Sequence, residues 1–237
     1  MLKKDFLDIL LDKGALSIAD NANDLFVFKS GRKSPNFVNL RALTDGESLS
    51  ALKKAYAGLI KQLLDEGKIE DFDFIFGPAY AAINLACLAC EGLYELYGLN
   101  KRYLYDRKES KGYGDTKMDD LIVGSGYFKK GSRILLIDDV ITTGAKKIES
   151  LEKLSLLGEH RIVGMVLAVD RQEKMGDSVN VEVLSATENI EKSFGIKTFS
   201  ILRMQDIFNL VKDDMPSDIK MSWIEYYKKY GSINLSD

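Results

Sequence analysis

Residues 133–139 read RILLIDD, an unbroken apolar run that stops at two adjacent carboxylates. Successive side chains of a strand point to opposite faces of its sheet. A strand apolar at every position must therefore be covered on both sides, which is the situation of a parallel sheet between helical layers. The rest of the chain supplies the parts. FDFIFG (72–77), RYLYD (102–106), IVGMVLAVD (162–170) and NVEVLS (180–185) read as further strands. Helical spacing fits 48–65, 81–96, 144–157, 188–194, 203–211 and 219–229. Ahead of them, Leu2, Phe6, Ile9 and Leu10 mark an amphipathic helix closed by Gly14, and 25–28 and 36–40 are short strand candidates. The expected fold is α/β, with a parallel sheet flanked by helices. A single domain over 1–237 comprises a small N-terminal cap (1–65), a core sheet (72–200) and C-terminal helices (201–237).

Composition excludes several classes of function. A chain of 237 residues buries about 70–75% of its unfolded surface and needs no staple to hold a core. The net charge of −3 argues against a nucleic-acid binder. One histidine, His160, rules out multi-histidine metal sites. Cys87 and Cys90, the only cysteines, lie in the apolar stretch AAINLACLACEGL and are expected to act as small core hydrophobes. His160 is expected to face solvent. Asp5, Asp8 and Asp12 interrupt the first apolar stretch, unlike a signal peptide. No apolar run reaches the ~18–20 residues of a membrane span. A cytoplasmic protein without membrane or nucleic-acid partners is expected.

The chemistry concentrates in ILLIDDVITTGAK, 134–146. Ligands of open α/β sheets bind at the carboxyl ends of strands. The start of the following helix offers unpaired N–H groups to a phosphate, and Thr142 and Thr143 add hydroxyl donors. Gly144 lets the backbone approach an anion without a Cβ. Asp138 and Asp139 suit a diol such as a ribose, since ionised oxygens accept hydroxyl hydrogen bonds. A sugar phosphate is the ligand these residue types fit. GSGYFKKGS at 124–132 lacks the lysine of a P-loop and the third glycine of a dinucleotide turn.

LLIDDVITTG resembles the phosphoribosyl-pyrophosphate (PRPP) signature of the type I phosphoribosyltransferase family. Four further segments, in the family's order, resemble its orotate-specific members: FKSGRKSPNF (28–37), FGPAYAAINLA (76–86), DRKESKGYGD (106–115) and VDRQE (169–173). The resemblance implies transfer of phosphoribose from PRPP to orotate, giving orotidine 5′-monophosphate and pyrophosphate in pyrimidine synthesis. It implies PRPP contacts from Lys29, Tyr80, Ala81, Arg107, Lys108, Lys111, Tyr113, Asp138, Asp139, Val140, Ile141, Thr142, Thr143, Gly144, Ala145 and Lys146. It implies orotate contacts from Lys29, Phe37, Val38, Thr142 and Arg171, with Lys111, Asp139 and Arg107 as the catalytic groups. Mg2+ is the expected cofactor, held by pyrophosphate and water rather than by a protein cage. A homodimer is expected, with the 106–115 loop of one subunit reaching the other's site.

The residues make sense of that reaction. Negative charge develops on the departing pyrophosphate, and Arg107, Lys108 and Lys111 bring cations to it. A guanidinium at Arg171 fits a carboxylate in fork geometry, although an ion pair with Asp170 or Glu173 is the competing use. Phe37 either lies against the flat base or packs in the core. Three departures stand out: Ala81 where the family often has lysine, Asn84 where proline is common, and Tyr113 where histidine is common. A transferase for another base and a PRPP-sensing regulator are the rival functions; Arg171 with KSGRKSP speaks against the first. The loop lysines, and the lack of a basic helix-turn-helix, speak against the second.

Overall fold

The computed structural model describes residues 3–107, 121–141 and 145–237, with backbone alone for 145–148. The elements run α1 (Lys3–Asp12), β1 (Leu16–Ile18), β2 (Phe26–Val27), β3 (Lys33–Ser34), β4 (Asn36–Val38), α2 (Gly46–Asp65), β5 (Phe74–Phe76), α3 (Ala81–Tyr97), β6 (Arg102–Asp106) and β7 (Ile122–Val123). They continue as β8 (Ser132–Val140), α4 (Ala145–Ser155), β9 (His160–Asp170), β10 (Lys174–Gly176), β11 (Val181–Ser185), α5 (Ala186–Phe194), β12 (Thr198–Arg203), α6 (Met204–Val211) and α7 (Ser217–Tyr230).

One six-stranded sheet has the order β12-β9-β8-β5-β6-β7. The first five strands in that order pair in parallel, and only β7 runs antiparallel, on the edge against β6. Alternation along β8 feeds two separate cores, as an apolar run in a covered sheet requires. Leu135 and Ile137 pack with Tyr56, Ile60, Val166, Phe208 and Trp223 on one face. Ile134 and Leu136 pack with Phe74, Phe76, Leu154, Met165 and Ile190 on the other.

The capped helix α2 belongs to the first of these layers. Its N-cap Asp45 accepts from Ser48 N at 2.8 Å. Its buried Tyr56 hydroxyl donates to the carbonyl of Asp138 at 2.7 Å, tying the helix to the last turn of β8. Against α3 the helix comes so close that a Cβ on Gly92 would stand 3.0 Å from the Lys53 carbonyl oxygen. The N-terminal segment also reaches the far end of the chain: Lys3 pairs with Asp206 at 2.8 Å, and Ala22 N donates to Asp218 at 3.2 Å.

Two strand expectations need correction. NVEVLS is not a core strand. As β11 it pairs antiparallel with β10 in a separate two-stranded arm, with Glu182 and Val183 exposed. Its alternation of polar and apolar residues cannot serve a sheet buried on both faces. The outermost core strand is instead β12, TFSILR, which directly precedes α6. Short strands also appear at β1 and β3; β1 pairs with β4, and β2 with β3, to form the hood over the sheet's carboxyl edge.

The cysteine expectation fails in half. Cys87 is exposed, while burial pushes the Cys90 thiol up to about 12. His160 is partly exposed, with Nδ1 2.8 Å from the Gly158 carbonyl.

Candidate active site

Four parallel strands deliver their ends to one edge. At β8 the strand continues through both acids. Asp138 is buried, and its Oδ1 accepts from Asp139 N at 2.9 Å. Asp139 Oδ1 accepts from Val140 N at 2.7 Å, and its carboxylate borders a cavity of about 720 Å3. The two acids thus differ: Asp138 is buried, whereas Asp139 is half-buried and lines the cavity.

At β5 the chain turns through Gly77, where a Cβ would sit 2.1 Å from the Ala82 carbonyl oxygen, so only glycine fits. Ala79 N then donates to Asp106 Oδ1 at 2.6 Å, and the Ala79–Tyr80 peptide is cis. Asp106, buried at the end of β6, also pairs with Lys153 of α4 at 3.2 Å. Lys153 donates to the Arg107 carbonyl at 3.2 Å, and Arg107 N to Leu121 at 2.8 Å. This ion pair therefore fastens the 77–80 turn, Arg107 and α4 to each other.

At β9 the strand ends in Asp170, whose carboxyl burial raises above its ordinary range and whose Oδ1 accepts from Gln172 N at 2.9 Å. Gln172 follows with φ 51°, a left-handed angle that turns the chain away from the sheet. Between them, Arg171 sends its guanidinium toward the cavity. Nη2 and Nε lie 2.6 and 3.1 Å from Glu173 Oε1, and the group sits 4.3 Å over the Phe28 ring. The Tyr227 hydroxyl donates to the Arg171 carbonyl at 2.8 Å. Burial opposes the arginine's charge, but Glu173 and the nearby tyrosines outweigh it and raise its affinity for the proton.

The hood closes the cavity opposite the strand ends. Phe37 is 41% exposed and borders the space, with its ring stacked 5.8 Å from Phe26 and tilted 6.2 Å from Phe28. Five cationic side chains (Lys29, Arg32, Arg41, Arg171, Lys174) meet two carboxylates (Asp139, Glu173) around it. Such a lining favours an anion with a flat apolar body.

Of the residues picked out in the sequence, Lys29, Phe37, Val38, Asp139, Val140, Ile141 and Arg171 line this one cavity. Asp138 lies just behind it. Tyr80, Ala81 and Arg107 stand on neighbouring strand ends outside its lining, Tyr80 being exposed. Lys108, Lys111, Tyr113, Thr142, Thr143 and Gly144 fall outside the described residues, as do the side chains of Ala145 and Lys146. Arg171 makes the ion pair with Glu173 that was its competing use, and lines the cavity as well. Sequence reasoning missed Phe28, Arg32, Arg41 and Lys174, and took Glu173 only as a partner of Arg171. Phe28, Arg32 and Glu173 lie inside the segments FKSGRKSPNF and VDRQE, so the signal was adjacent; nothing marked Arg41.

No protein-family model matches the chain. Over 236 residues it is 35% identical to an orotate phosphoribosyltransferase of Bifidobacterium adolescentis, covering 96% of each chain. To the enzyme of that name from Kluyveromyces lactis it is 36% identical over 233 residues, 97% of this chain and 96% of that one. The fold is similar to the crystal structure of orotate phosphoribosyltransferase from Francisella tularensis, with a TM-score of 0.77 and 32% identity over 96% of this chain and 99% of that one.

Proposed function

The chain belongs to the orotate phosphoribosyltransferases, and on that premise we propose how its residues divide the work. It transfers the 5-phosphoribosyl group of PRPP to orotate in pyrimidine biosynthesis. Orotate lies flat against Phe37, with its carboxylate toward Arg171 and Lys29 and its edge on the backbone at Val38. Asp138 and Asp139 hold the ribose hydroxyls. The turn from Val140 through Ile141, Thr142, Thr143 and Gly144 to Ala145 and Lys146 takes the 5-phosphate at the start of α4. Pyrophosphate leaves among Arg107, Lys108, Lys111 and Tyr113, beside the backbone of Tyr80 and Ala81.

One observation carries this reading: Asp139 and Arg171, from adjacent parallel strands, border the same cation-rich cavity. We read these two as a ribose-binding acid and a carboxylate-binding guanidinium sharing one cavity.

The hard carboxylate oxygens of Asp138 and Asp139 are of the donor type that magnesium accepts. Bound with PRPP, Mg2+ would neutralise pyrophosphate charge, held by pyrophosphate oxygens and water, with Asp139 the carboxylate that lines the cavity.

We read the whole chain as one domain. Residues of 1–65, of 72–200 and of 201–237 share a single hydrophobic core, which supports that reading. The homodimer with a loop crossing between subunits is part of the proposal, and so is the cytoplasmic location. Among the described residues no helix is long and apolar enough to cross a membrane.

The test is orotate consumption, followed by absorbance with PRPP, with and without Mg2+, and with uracil in its place. Orotate-specific, Mg2+-dependent turnover is expected. Equal use of uracil would overturn the placement of the carboxylate at Arg171.

A further inference from the structure

Arg32 sits in the turn between β2 and β3, a surface hairpin where an arginine ordinarily keeps its head in water. Here it is 3% exposed. Its guanidinium is spent on backbone. Nη1 donates to the Lys174 carbonyl at 2.8 Å, Nη2 to Met175 at 3.1 Å and Nε to Asp177 at 3.1 Å. Beneath it lies the Tyr230 ring of α7, 4.6 Å from the guanidinium carbon, and the Tyr230 hydroxyl donates to the Ser178 carbonyl at 3.2 Å. The Ser178 amide in turn donates to Ser30 at 3.0 Å.

These contacts join two elements that are weak alone. The β2–β3 pair has two residues per strand, and β10 has three. Two-stranded pairs of this size are marginal in water. Each borders the cavity, one through Phe28 and Lys29, the other through Lys174 and Met175. Between them stands Glu173, with Oε1 on Arg171 and Oε2 3.6 Å from Arg32 Nη1. The carboxylate is thus held from two sides. It fixes the direction of the Arg171 guanidinium while leaving the group of three one positive charge in excess.

We propose that Arg32 is a positioning residue for the base: it clamps the β10–β11 arm to the hood and, through Glu173, aims Arg171 at the substrate carboxylate. This rests on reading the cavity as the orotate site. Lysine in its place keeps the charge, but its donors share one nitrogen and cannot reach three carbonyls arranged around Nε, Nη1 and Nη2.

The experiment compares Arg32→Lys and the milder Tyr230→Phe with the parent, by steady-state kinetics in both substrates and by hydrogen exchange at the Ser178 amide. For Arg32→Lys, the KM for orotate should rise about tenfold or more while that for PRPP stays within about threefold, since the unpaired carbonyls lie only on the base side. The Ser178 amide should exchange faster. Tyr230→Phe should move both readouts the same way by less. An unchanged orotate KM in Arg32→Lys would overturn the proposal. So would an equal rise in both KM values with a lowered Tm, the mark of a merely structural arginine. Should the parent itself fail to use orotate, the functional reading falls, and Ser178 exchange still decides whether the clamp exists.

Discussion

Asp138 and Asp139 stand at the end of one nine-residue strand, held by hydrogen bonds to their own neighbours and by the Tyr56 hydroxyl of α2. The other half of the cavity is assembled from pieces that meet only in the folded chain. Arg32 and the Lys174 carbonyl it binds are 142 positions apart, and Tyr227 and Arg171 are 56 apart. The end proposed for the sugar rests on one strand, tied to α2 by the Tyr56 hydroxyl. The base end is a joint between hood, arm and C-terminal helix. A local site can be altered by changing its own residues, whereas a joint can also be altered from any member.

The comparison breaks first at Asp139. Asp139→Asn removes a charge-assisted hydrogen bond worth about 1.5–3 kcal/mol, so kcat/KM for PRPP should fall roughly 10- to 150-fold. Thermal stability should hold, because the amide oxygen keeps an acceptor for Val140 N and the residue is only half-buried. Activity near the parent's would remove the ribose from this strand end. Arg171→Ala should cost the base end roughly 10-fold or more in orotate KM, with Arg171→Lys recovering only part, because a point charge lacks the fork. If PRPP affinity fell instead, the two ends would be exchanged.

Lys153 sharpens the picture, because with Tyr56 it joins separate elements on the side proposed for the sugar. Lys153→Met leaves buried Asp106 without its cation and frees Arg107 from α4. The KM for PRPP should rise about threefold to tenfold, with Lys153→Arg restoring most of it, as an ion-pair partner should. Orotate KM in the same assay should move less.

The smallest effect concerns Asp170. Burial raises its carboxyl pKa in the folded protein, so the folded state holds the proton more tightly than the unfolded one. Stability from this group is fully present below the unfolded value of about 3.9 and declines as pH rises through the folded value. Asp170→Asn keeps an acceptor for Gln172 N and removes the charge. Its stability relative to the parent should therefore rise between pH 4 and pH 7, by chemical denaturation. A flat difference across that range would mean the carboxyl is not strained by burial.

What could be read in the sequence follows the same division. RILLIDD announces its own burial, because a parallel strand needs no information beyond its apolar run, and both cores accept its alternate residues. Asp139, picked out at the end of such a strand, and Arg171, picked out in the segment VDRQE, both line the cavity. Arg32 was visible as a letter in KSGRKSP, but its partners are carbonyls, and carbonyls carry no sequence identity. For the same reason NVEVLS was mistaken for a core strand: composition gives β-propensity, while membership of a sheet depends on which neighbour lies alongside. TFSILR, with polar residues among its apolar ones, gave too weak a run to be recognised as the edge strand it is.

The pairing of Lys3 with Asp206 and of Tyr56 with Asp138 has a consequence for how the chain is made. The ribosome completes α1 and α2 long before β8, β9 and β12, the strands their apolar faces need, have been synthesised. At roughly 5–20 residues per second, the wait is on the order of ten seconds. During that interval Phe6, Leu10, Tyr56 and Ile60, all fully buried at the end, have no finished sheet to cover them. This early segment is thus the part most exposed to holding chaperones, and α7, made later than the sheet, brings Trp223 and Tyr227 to close the same core.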